Sequence, residues 1–351
     1  MKKQIKLLKA YNPGESPESL RNKYDNNKSF FKLGSNENVY GPSPNVKKSI
    51  INHVNEINYY PDTKSSILRK VISQYLNIDS SRIMFGSGLD EIILMISRAI
   101  VNKGDKIITS ELTFGQYKHN GIIESADVIE TKLKDGAYDL NDIIKNIDEN
   151  TSMIWLCNPN NPTGNYFSEK ELRDFLNNVP NDIPVLVDEA YFEFVNASDY
   201  PDTLKLQNYF RNLFVLRTFS KAYGLAGMRV GYVIAPQEII EQWNIVKLPF
   251  NVGCLSEYAA VEAIKDQEYL RKICYYNKVE REKFFSIPES RNFYPSQTNF
   301  IFVKTENPNL LYEMLLEKGF ITKLFSKGVR ITIGLPEQNE GIIKVIKKFF
   351  K

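Results

Sequence analysis

A lysine between two predicted strands is the residue of this chain whose setting most favours chemistry. Lys221 lies within residues 217–229, which follow one apolar run and lead directly into the next without a helix-length insert. The end of a strand marks the carboxyl edge of a sheet, where open α/β folds bind ligands. Lysine side chains are usually solvated surface charges, so the interpretation of Lys221 depends on the groups that accompany it.

A carboxylate stands at the end of an earlier apolar run. Residues 185–187 form that run, Asp188 follows it, and Tyr191 adds a phenol nearby. Pyridoxal phosphate (PLP) enzymes need a lysine for a Schiff base and an acid that keeps the pyridine nitrogen protonated, because the protonated ring accepts electrons. Asp188 and Lys221 could supply these two groups, although a strand that ends in a polar turn has the same sequence pattern.

Two loops of the chain have distinctive patterns, the first of which could also be only a tight turn. Residues 158–164 contain two prolines, adjacent asparagines and a glycine after an apolar run, and residues 85–91 join a strand to a helix through a glycine turn. A helix start of this kind directs backbone amides at an anion. The second loop lacks the lysine and hydroxyl residue of a P-loop and the GxGxxG spacing, which argues against a nucleotide. It suits a cofactor with one phosphate, although such turns are more often structural.

The elements that must position these residues alternate between short apolar runs and segments with helical periodicity. This alternation predicts an α/β fold with a mostly parallel sheet. Ser168 and Glu171 match a capping box at one helix start, and Asp90 is expected to open another helix. The predicted strands are 83–86, 106–110, 152–157, 185–188, 213–217 and 229–235, and the predicted helices include 65–76, 90–101 and 168–179.

The pattern changes after the predicted sheet. A long amphipathic helical stretch from about residue 255 to about residue 285 precedes a strand at 299–304, a helix near 310–318, a strand at 329–334 and a last helix. This order predicts a separate small α+β domain. The first thirty or so residues carry turn signals and little periodicity. We predict an arm at 1–32 that packs with the small domain, a large domain at 33–250 and a small domain at 251–351.

Composition argues against several classes of function. Lysine plus arginine number 45 against 42 for aspartate plus glutamate, a net charge of +3 spread along 351 residues, so neither nucleic acid nor a membrane surface is expected as a partner. No apolar run approaches the ~20 residues that span a bilayer, which predicts a cytoplasmic protein. Two histidines and three cysteines without a paired spacing favour no metal site, disulfide framework or histidine relay.

Taken together, these segments resemble fold-type-I PLP aminotransferases, and within them the histidinol-phosphate aminotransferase family. The resemblance runs nearly from end to end, from residues 11–14 through 35–44 to 330–334. It implies a mostly parallel central sheet with helices on both faces, PLP as the cofactor and a two-fold homodimer. It also implies amino transfer from glutamate to a small phosphorylated carbonyl compound in amino-acid biosynthesis.

The resemblance assigns catalytic roles to Lys221, Asp188 and Tyr191. Lys221 would bind the cofactor covalently and shuttle the proton, while Asp188 would pair with the pyridinium nitrogen. Tyr191 and Asn161 would hydrogen-bond the ring oxygen. Phe114 matches the aromatic residue that stacks on the ring, where many relatives have tyrosine, and offset stacking does not need the hydroxyl.

The resemblance also assigns the groups that bind the cofactor phosphate. The cofactor phosphate would be held by the backbone amides of Leu89 and Asp90, the hydroxyl of Ser220, the guanidinium of Arg229 and, from the other subunit, Tyr60.

The substrate end of the site departs from the family pattern. Arg330 matches the arginine that binds the glutamate carboxylate as a planar bidentate pair, and Tyr11 and Asn36 match further substrate contacts. Residues 319–330 are shorter than in the family, with Lys323 where the family usually has an arginine. A lysine still binds phosphate, as a point charge.

The sequence leaves three alternatives open, of which the first follows from this departure. A smaller pocket could prefer a three-carbon phosphate, such as dihydroxyacetone phosphate giving serinol phosphate. A PLP-dependent decarboxylase of a phosphorylated amino acid ranks lower. A non-catalytic sensor module of a transcription regulator ranks last, because the arm before Lys32 leaves no room for a DNA-binding domain.

Overall fold

A computed structural model describes residues 2–10, 14–21 and 29–351. The strands of these residues are β1 (Phe31–Lys32), β2 (Ile83–Gly86), β3 (Lys106–Ser110), β4 (Asp127–Thr131), β5 (Leu133–Lys134), β6 (Ala137–Tyr138), β7 (Thr151–Cys157), β8 (Val185–Asp188), β9 (Leu213–Thr218), β10 (Gly231–Ile234), β11 (Phe300–Lys304), β12 (Phe320–Ile321), β13 (Lys323–Phe325) and β14 (Gly328–Thr332).

Helices alternate with these strands along most of the chain. In chain order they are α1 (Pro17–Arg21), α2 (Pro44–His53), α3 (Ser66–Leu76), α4 (Gly88–Ile100), α5 (Gln116–Ile123), α6 (Leu140–Lys145), α7 (Glu169–Leu176), α8 (Thr203–Leu206), α9 (Gln237–Val246), α10 (Cys254–Lys265), α11 (Gln267–Phe285), α12 (Pro308–Glu317) and α13 (Pro336–Phe349).

The central sheet has the strand order β2-β10-β9-β8-β7-β3-β4 within the described residues. The pairs from β9 to β4 are parallel, whereas β10 is antiparallel to both β2 and β9. Strands β8 and β9 are buried throughout and apolar except at their carboxyl ends (Asp188, Arg217 and Thr218), as expected for strands covered by helices on both faces. The predicted α/β class with a mostly parallel sheet is confirmed.

Several predicted element boundaries differ from the structure by one to three residues. The strand expected to begin at residue 229 begins at Gly231, because Arg229 has a left-handed backbone with φ of 53°. The helix expected to open at Asp90 already starts at Gly88. The capping box is confirmed, since Ser168 Oγ accepts from the Glu171 amide and the Glu171 carboxylate accepts from the Ser168 amide.

The single helical stretch predicted for 255–285 is two helices. The chain breaks at Asp266, whose carboxylate accepts a hydrogen bond from the Tyr269 amide at 3.1 Å and caps α11. Helix α10 packs on α2 and α3, and its apolar residues join the main core. A second core gathers β11, β14, α12, α13 and the end of α11. The domain boundaries at 32 and 250 stay a prediction.

The described parts of the first thirty-two residues pack at two places. Leu20 and Phe30 form a small apolar cluster with Leu316 and Ile321, and β1 pairs in parallel with β12. The turn Lys3–Leu7 lies against α5. Among the described residues no helix combines the length and the apolar character needed to cross a membrane, and the cytoplasmic location stays a prediction.

Candidate active site

A cleft of about 660 Å³ opens where β7, β8 and β9 end. Its lining includes Cys157, Asp188 and Thr218, which are the last residues of those three strands. Tyr60 is not part of this lining, and Tyr11 lies outside the described residues. The other residues predicted for the site all line the cleft: Asn36, Leu89, Asp90, Phe114, Asn161, Asp188, Tyr191, Ser220, Lys221, Arg229, Lys323 and Arg330.

Lys221 lies three residues past β9, at the bottom of the cleft. Its Nζ donates a hydrogen bond to the Ser35 carbonyl at 2.8 Å. Burial, and then the charge of Arg330, lower the pKa of Lys221 to about 8. More of this amine is therefore neutral near physiological pH than for an ordinary lysine, and the neutral form is the nucleophile.

Asp188 is a buried acid whose two carboxylate oxygens are both hydrogen-bonded. Oδ1 accepts from the Ala190 amide at 3.0 Å, and Oδ2 accepts from the Tyr117 hydroxyl at 2.7 Å. Burial raises the pKa of Asp188 to about 6, while these two hydrogen bonds act in the opposite direction. Tyr117 was not among the predicted site residues.

Tyr191 and Asn36 share a buried network beside Lys221. Asn36 Nδ2 donates to the Tyr191 hydroxyl at 2.9 Å, and Asn36 Oδ1 accepts from Thr332 at 3.2 Å. Burial raises the pKa of Tyr191 well above its ordinary value, so its hydroxyl keeps a proton to donate. The amide of Asn36, which was predicted to bind substrate, is engaged with protein groups in this structure.

Arg330 projects from β14 toward the loop after β7. Its guanidinium donates to the Asn161 side chain and to the Gly34 carbonyl. It also lies over the ring of Phe325, with 5.8 Å between Cζ and the ring centroid. Lys323 is the Cα partner of Arg330 across the β13–β14 pair, so two cations line this wall of the cleft.

The start of α4 forms the opposite end of the cleft. Gly88 has φ of 77°, and a Cβ there would overlap the guanidinium of Arg229. Arg229 pairs with Asp90 at 3.1 Å, and Thr218 donates to the Ser220 hydroxyl at 3.0 Å. The free amides of a helix start, a guanidinium and a hydroxyl are together suited to bind an anion.

Tyr60 lies on the surface, with 83% of its area exposed, and stacks on Phe250 with 4.5 Å between ring centroids. Lys247 donates to the Thr63 carbonyl at 2.7 Å, which holds the same two segments together. We call the exposed apolar side chains of these segments the Tyr60 face: Ile57, Tyr59, Tyr60, Ile245, Leu248 and Phe250.

Several lining residues were missed by the sequence analysis. Lys9 belongs to the arm, where no periodicity predicts its position. Glu37 lies within residues 35–44, which supported the family resemblance but predicted no role for Glu37. Tyr117, which lies behind the cleft lining, had one usable signal, because it follows Phe114 by three residues and its amide donates to the Phe114 carbonyl at 3.3 Å in the turn before α5. Other missed lining residues, among them Gln116, His119 and Phe325, carried no distinctive pattern.

Comparison with known proteins gives this cleft a family. Residues 28–346 match the family model of aminotransferase class I and II. The chain belongs to the class I and II aminotransferases. The enzyme is thus a PLP-dependent aminotransferase, as the resemblance implied.

The relatives of this aminotransferase are more specific. Histidinol-phosphate aminotransferases from Staphylococcus epidermidis and Staphylococcus haemolyticus are 62% and 60% identical to it, over 99% of each chain. The predicted membership of the histidinol-phosphate aminotransferase family is confirmed.

Solved structures of lower identity share the fold of this aminotransferase. The histidinol-phosphate aminotransferase from Sinorhizobium meliloti, in complex with PLP, has a TM-score of 0.90 at 24% identity and covers 99% of this chain and 98% of its own. The L-threonine-O-3-phosphate decarboxylase from Porphyromonas gingivalis has a TM-score of 0.77 at 22% identity, covering 91% of this chain and 99% of its own. Fold type I is confirmed, and fold alone does not separate transamination from decarboxylation.

Proposed function

We propose that this aminotransferase moves the amino group of glutamate to imidazole-acetol phosphate, which yields histidinol phosphate. The observation that carries the proposal is the 62% identity, over 99% of both chains, to an aminotransferase named for histidinol phosphate. The cleft agrees with this pair of substrates, because Arg330 and Lys323 offer two adjacent cations on one wall to a carboxylate or a phosphate.

The chemistry of the lining fits PLP. Asp188 is a buried acid that pairs with no lysine or arginine of the described residues, so a positively charged ring nitrogen would complete it. Lys221 supplies an amine of lowered pKa in the same cleft. At the start of α4, the absence of a side chain at Gly88 leaves room for the guanidinium of Arg229 beside the free amides.

Each of these residues has a distinct proposed role. PLP, when bound, withdraws electrons from the substrate carbon. Lys221 holds the cofactor and then carries a proton on Nζ to and from that carbon. Asp188 keeps the ring nitrogen protonated, and Phe114 covers one ring face. Tyr191 donates to the ring oxygen together with Asn161.

The cofactor phosphate has its proposed partners at the start of α4. The amides of Leu89 and Asp90, the hydroxyl of Ser220 and the guanidinium of Arg229 provide them. Arg330 binds the glutamate carboxylate, for which it must exchange its present hydrogen bonds to Asn161 and Gly34. For the substrate, Asn36, Lys323 and Tyr11 remain the further proposed contacts.

The active unit is proposed to be a homodimer in which Tyr60 reaches the cofactor phosphate of the other subunit. The Tyr60 face exposes several large apolar side chains side by side, which is unusual for a surface in contact with water. A two-fold interface would bury this face against its own copy. The exposure of Tyr60 outside its own cleft agrees with a role across that interface.

A half-reaction experiment tests the proposed substrates. The PLP-loaded enzyme is treated with glutamate, freed of excess amino acid, and given either imidazole-acetol phosphate or dihydroxyacetone phosphate. We expect glutamate to bleach the visible absorbance of the cofactor, and imidazole-acetol phosphate to restore it much faster than dihydroxyacetone phosphate. Failure of both acceptors would overturn the phosphorylated substrate, and faster recovery with dihydroxyacetone phosphate would identify the three-carbon alternative.

A further inference from the structure

Tyr117 is a buried residue that the proposed roles leave unused. It is 0% exposed, and its hydroxyl donates to Asp188 Oδ2 at 2.7 Å. Its ring stacks on Trp155 of β7, with 4.8 Å between centroids and 6° between planes. The stack and the complete burial determine where the hydroxyl lies, so this hydrogen bond is built into the packing of α5 against the sheet.

Tyr117 also touches the residue proposed to cover the cofactor ring. Its ring meets Phe114 edge to face, with 5.7 Å between centroids and 80° between planes. Phe114 and Asp188 would contact the face and the nitrogen of the same cofactor ring. Tyr117 lies behind both and lines neither the cleft nor the surface.

Because of the groups around Asp188, the Tyr117 hydroxyl is important for keeping the Asp188 carboxyl ionised. The negative charges of Asp90 and Glu189 and the burial itself all oppose ionisation of Asp188. Cys157, the last residue of β7, faces it as a buried thiol whose own pKa is raised by burial. The hydrogen bonds from Tyr117 and the Ala190 amide are the contacts that favour the carboxylate form.

We propose that Tyr117 is a positioning residue for the cofactor ring: its hydroxyl holds Asp188 in place as a carboxylate, and thereby keeps the proton on the ring nitrogen. This inference rests on the proposed role of Asp188. Without the Tyr117 hydroxyl, Oδ2 would lose its buried hydrogen bond, so the carboxylate would be less stable and the proton on the ring nitrogen would move toward it.

The test compares two tyrosine variants that each lose one buried hydroxyl. Tyr117→Phe keeps the ring stack and removes the hydrogen bond to Asp188. Tyr138→Phe is the matched control, because Tyr138 is also buried and its hydroxyl contacts Thr113 at 2.7 Å and the Cys157 amide at 3.2 Å, away from Asp188. Both variants are loaded with PLP that carries ¹⁵N in the ring, and thermal unfolding checks that both fold.

In Tyr117→Phe we expect the ring-nitrogen NMR signal to move toward its unprotonated position at lower pH than in the wild type. We expect the glutamate half-reaction to slow about tenfold at saturation, as for loss of a hydrogen bond to a charged group, with little change in the concentration of glutamate that gives half the maximal rate. Tyr138→Phe should keep the wild-type signal and rate.

Two results would overturn the inference: a wild-type nitrogen signal in Tyr117→Phe, or equal shifts in both variants, which would show a general packing effect. Failure of the proposed function is seen separately, as a wild-type enzyme that glutamate does not bleach.

Discussion

At the scale of residues, burial moves the pKa values of Lys221 and Asp188 toward each other. Burial disfavours the charged form of each, so the pKa of the lysine falls to about 8 and that of the aspartate rises to about 6. Two oppositely shifted groups in one cleft are typical of an active site. Without a ligand, burial of these two ionisable groups costs folding free energy. A bound cofactor would offer each group a partner.

Arg330 and Lys323 allow the two ends of the substrate to be tested separately. Arg330→Lys keeps the charge and removes the planar fork, so the KM for glutamate should rise about 10–100-fold. Lys323→Ala should leave the glutamate half-reaction nearly unchanged and weaken the phosphorylated acceptor. Steady-state kinetics with each substrate varied in turn measures both effects, and an unchanged KM for glutamate in Arg330→Lys would contradict the proposed role.

The buried side chain of Glu193, which has no proposed catalytic role, predicts that folding stability depends on pH. Its Oε2 is buried and has no hydrogen-bond partner among the described residues, and burial raises its pKa to about 8. A raised folded-state pKa means that stability is full below the unfolded pKa and is lost as pH rises through about 8. Glu193→Gln should therefore gain stability relative to the wild type as pH rises from about 5 to about 8, by on the order of 1–3 kcal/mol. Urea unfolding at both pH values measures this, and a constant difference would contradict it.

At the scale of elements, the site depends on where strands end and where one helix begins. Asp188 closes β8, Lys221 follows β9, and the amides of α4 begin at Gly88. Each position follows from short turns that leave polar groups at one edge of the sheet. The helix start is the most demanding of these turns, because it combines a left-handed glycine with a guanidinium packed against it.

Gly88→Ala should disturb both the helix start and Arg229. The left-handed backbone costs an L-residue about 1–2 kcal/mol, and the added methyl group would displace the guanidinium from the proposed phosphate site. We expect weaker PLP binding, measured by titration of the apo-enzyme. Gly104→Ala is the control, because Gly104 has φ of 92° and no atom within 4 Å of an added Cβ. Equal PLP affinity in the two variants would argue against the proposed phosphate site.

At the scale of the whole molecule, one strap of backbone joins the two cores around the cleft. Gly34 accepts from Arg330 of the second core, and Ser35 accepts from Lys221 of the main sheet. The Asn36 carbonyl accepts from Asn299 at 3.0 Å, and its side chain reaches Tyr191. The site thus lies where the two cores meet, and a ligand that rearranges Arg330 acts directly on this strap.

Subunit mixing tests the proposed dimer. Lys221→Ala and Tyr60→Phe each damage one component of the site, and Tyr60→Phe keeps the stack on Phe250. If Tyr60 serves the other subunit, each mixed dimer contains one intact site of its two. Random pairing makes about half of the dimers mixed, so co-expression of the two variants should restore about one site in four. Activity of the mixture equal to the mean of the two separate variants would exclude sharing of the site across subunits.

The sequence alone predicted the elements that bear the chemistry. The bounds of β2, β3 and β8 are those expected, because apolar runs bounded by glycine and polar turns are local signals. The same local logic placed Lys221 and Asp188 at one edge of the sheet. It failed for the stretch 255–285, where the side chain of Asp266 ends one helix and caps the next.

The tertiary structure alone decided which side chains meet. Tyr117 reaches Asp188 across 71 positions of sequence, and Asn36 reaches Thr332 across 296. No periodicity encodes such contacts, because they follow from the packing of α5 on the sheet and of β14 beside the strap. The opposite pKa shifts of Lys221 and Asp188 arise in the same way, since burial and neighbouring charge exist only once the chain has folded.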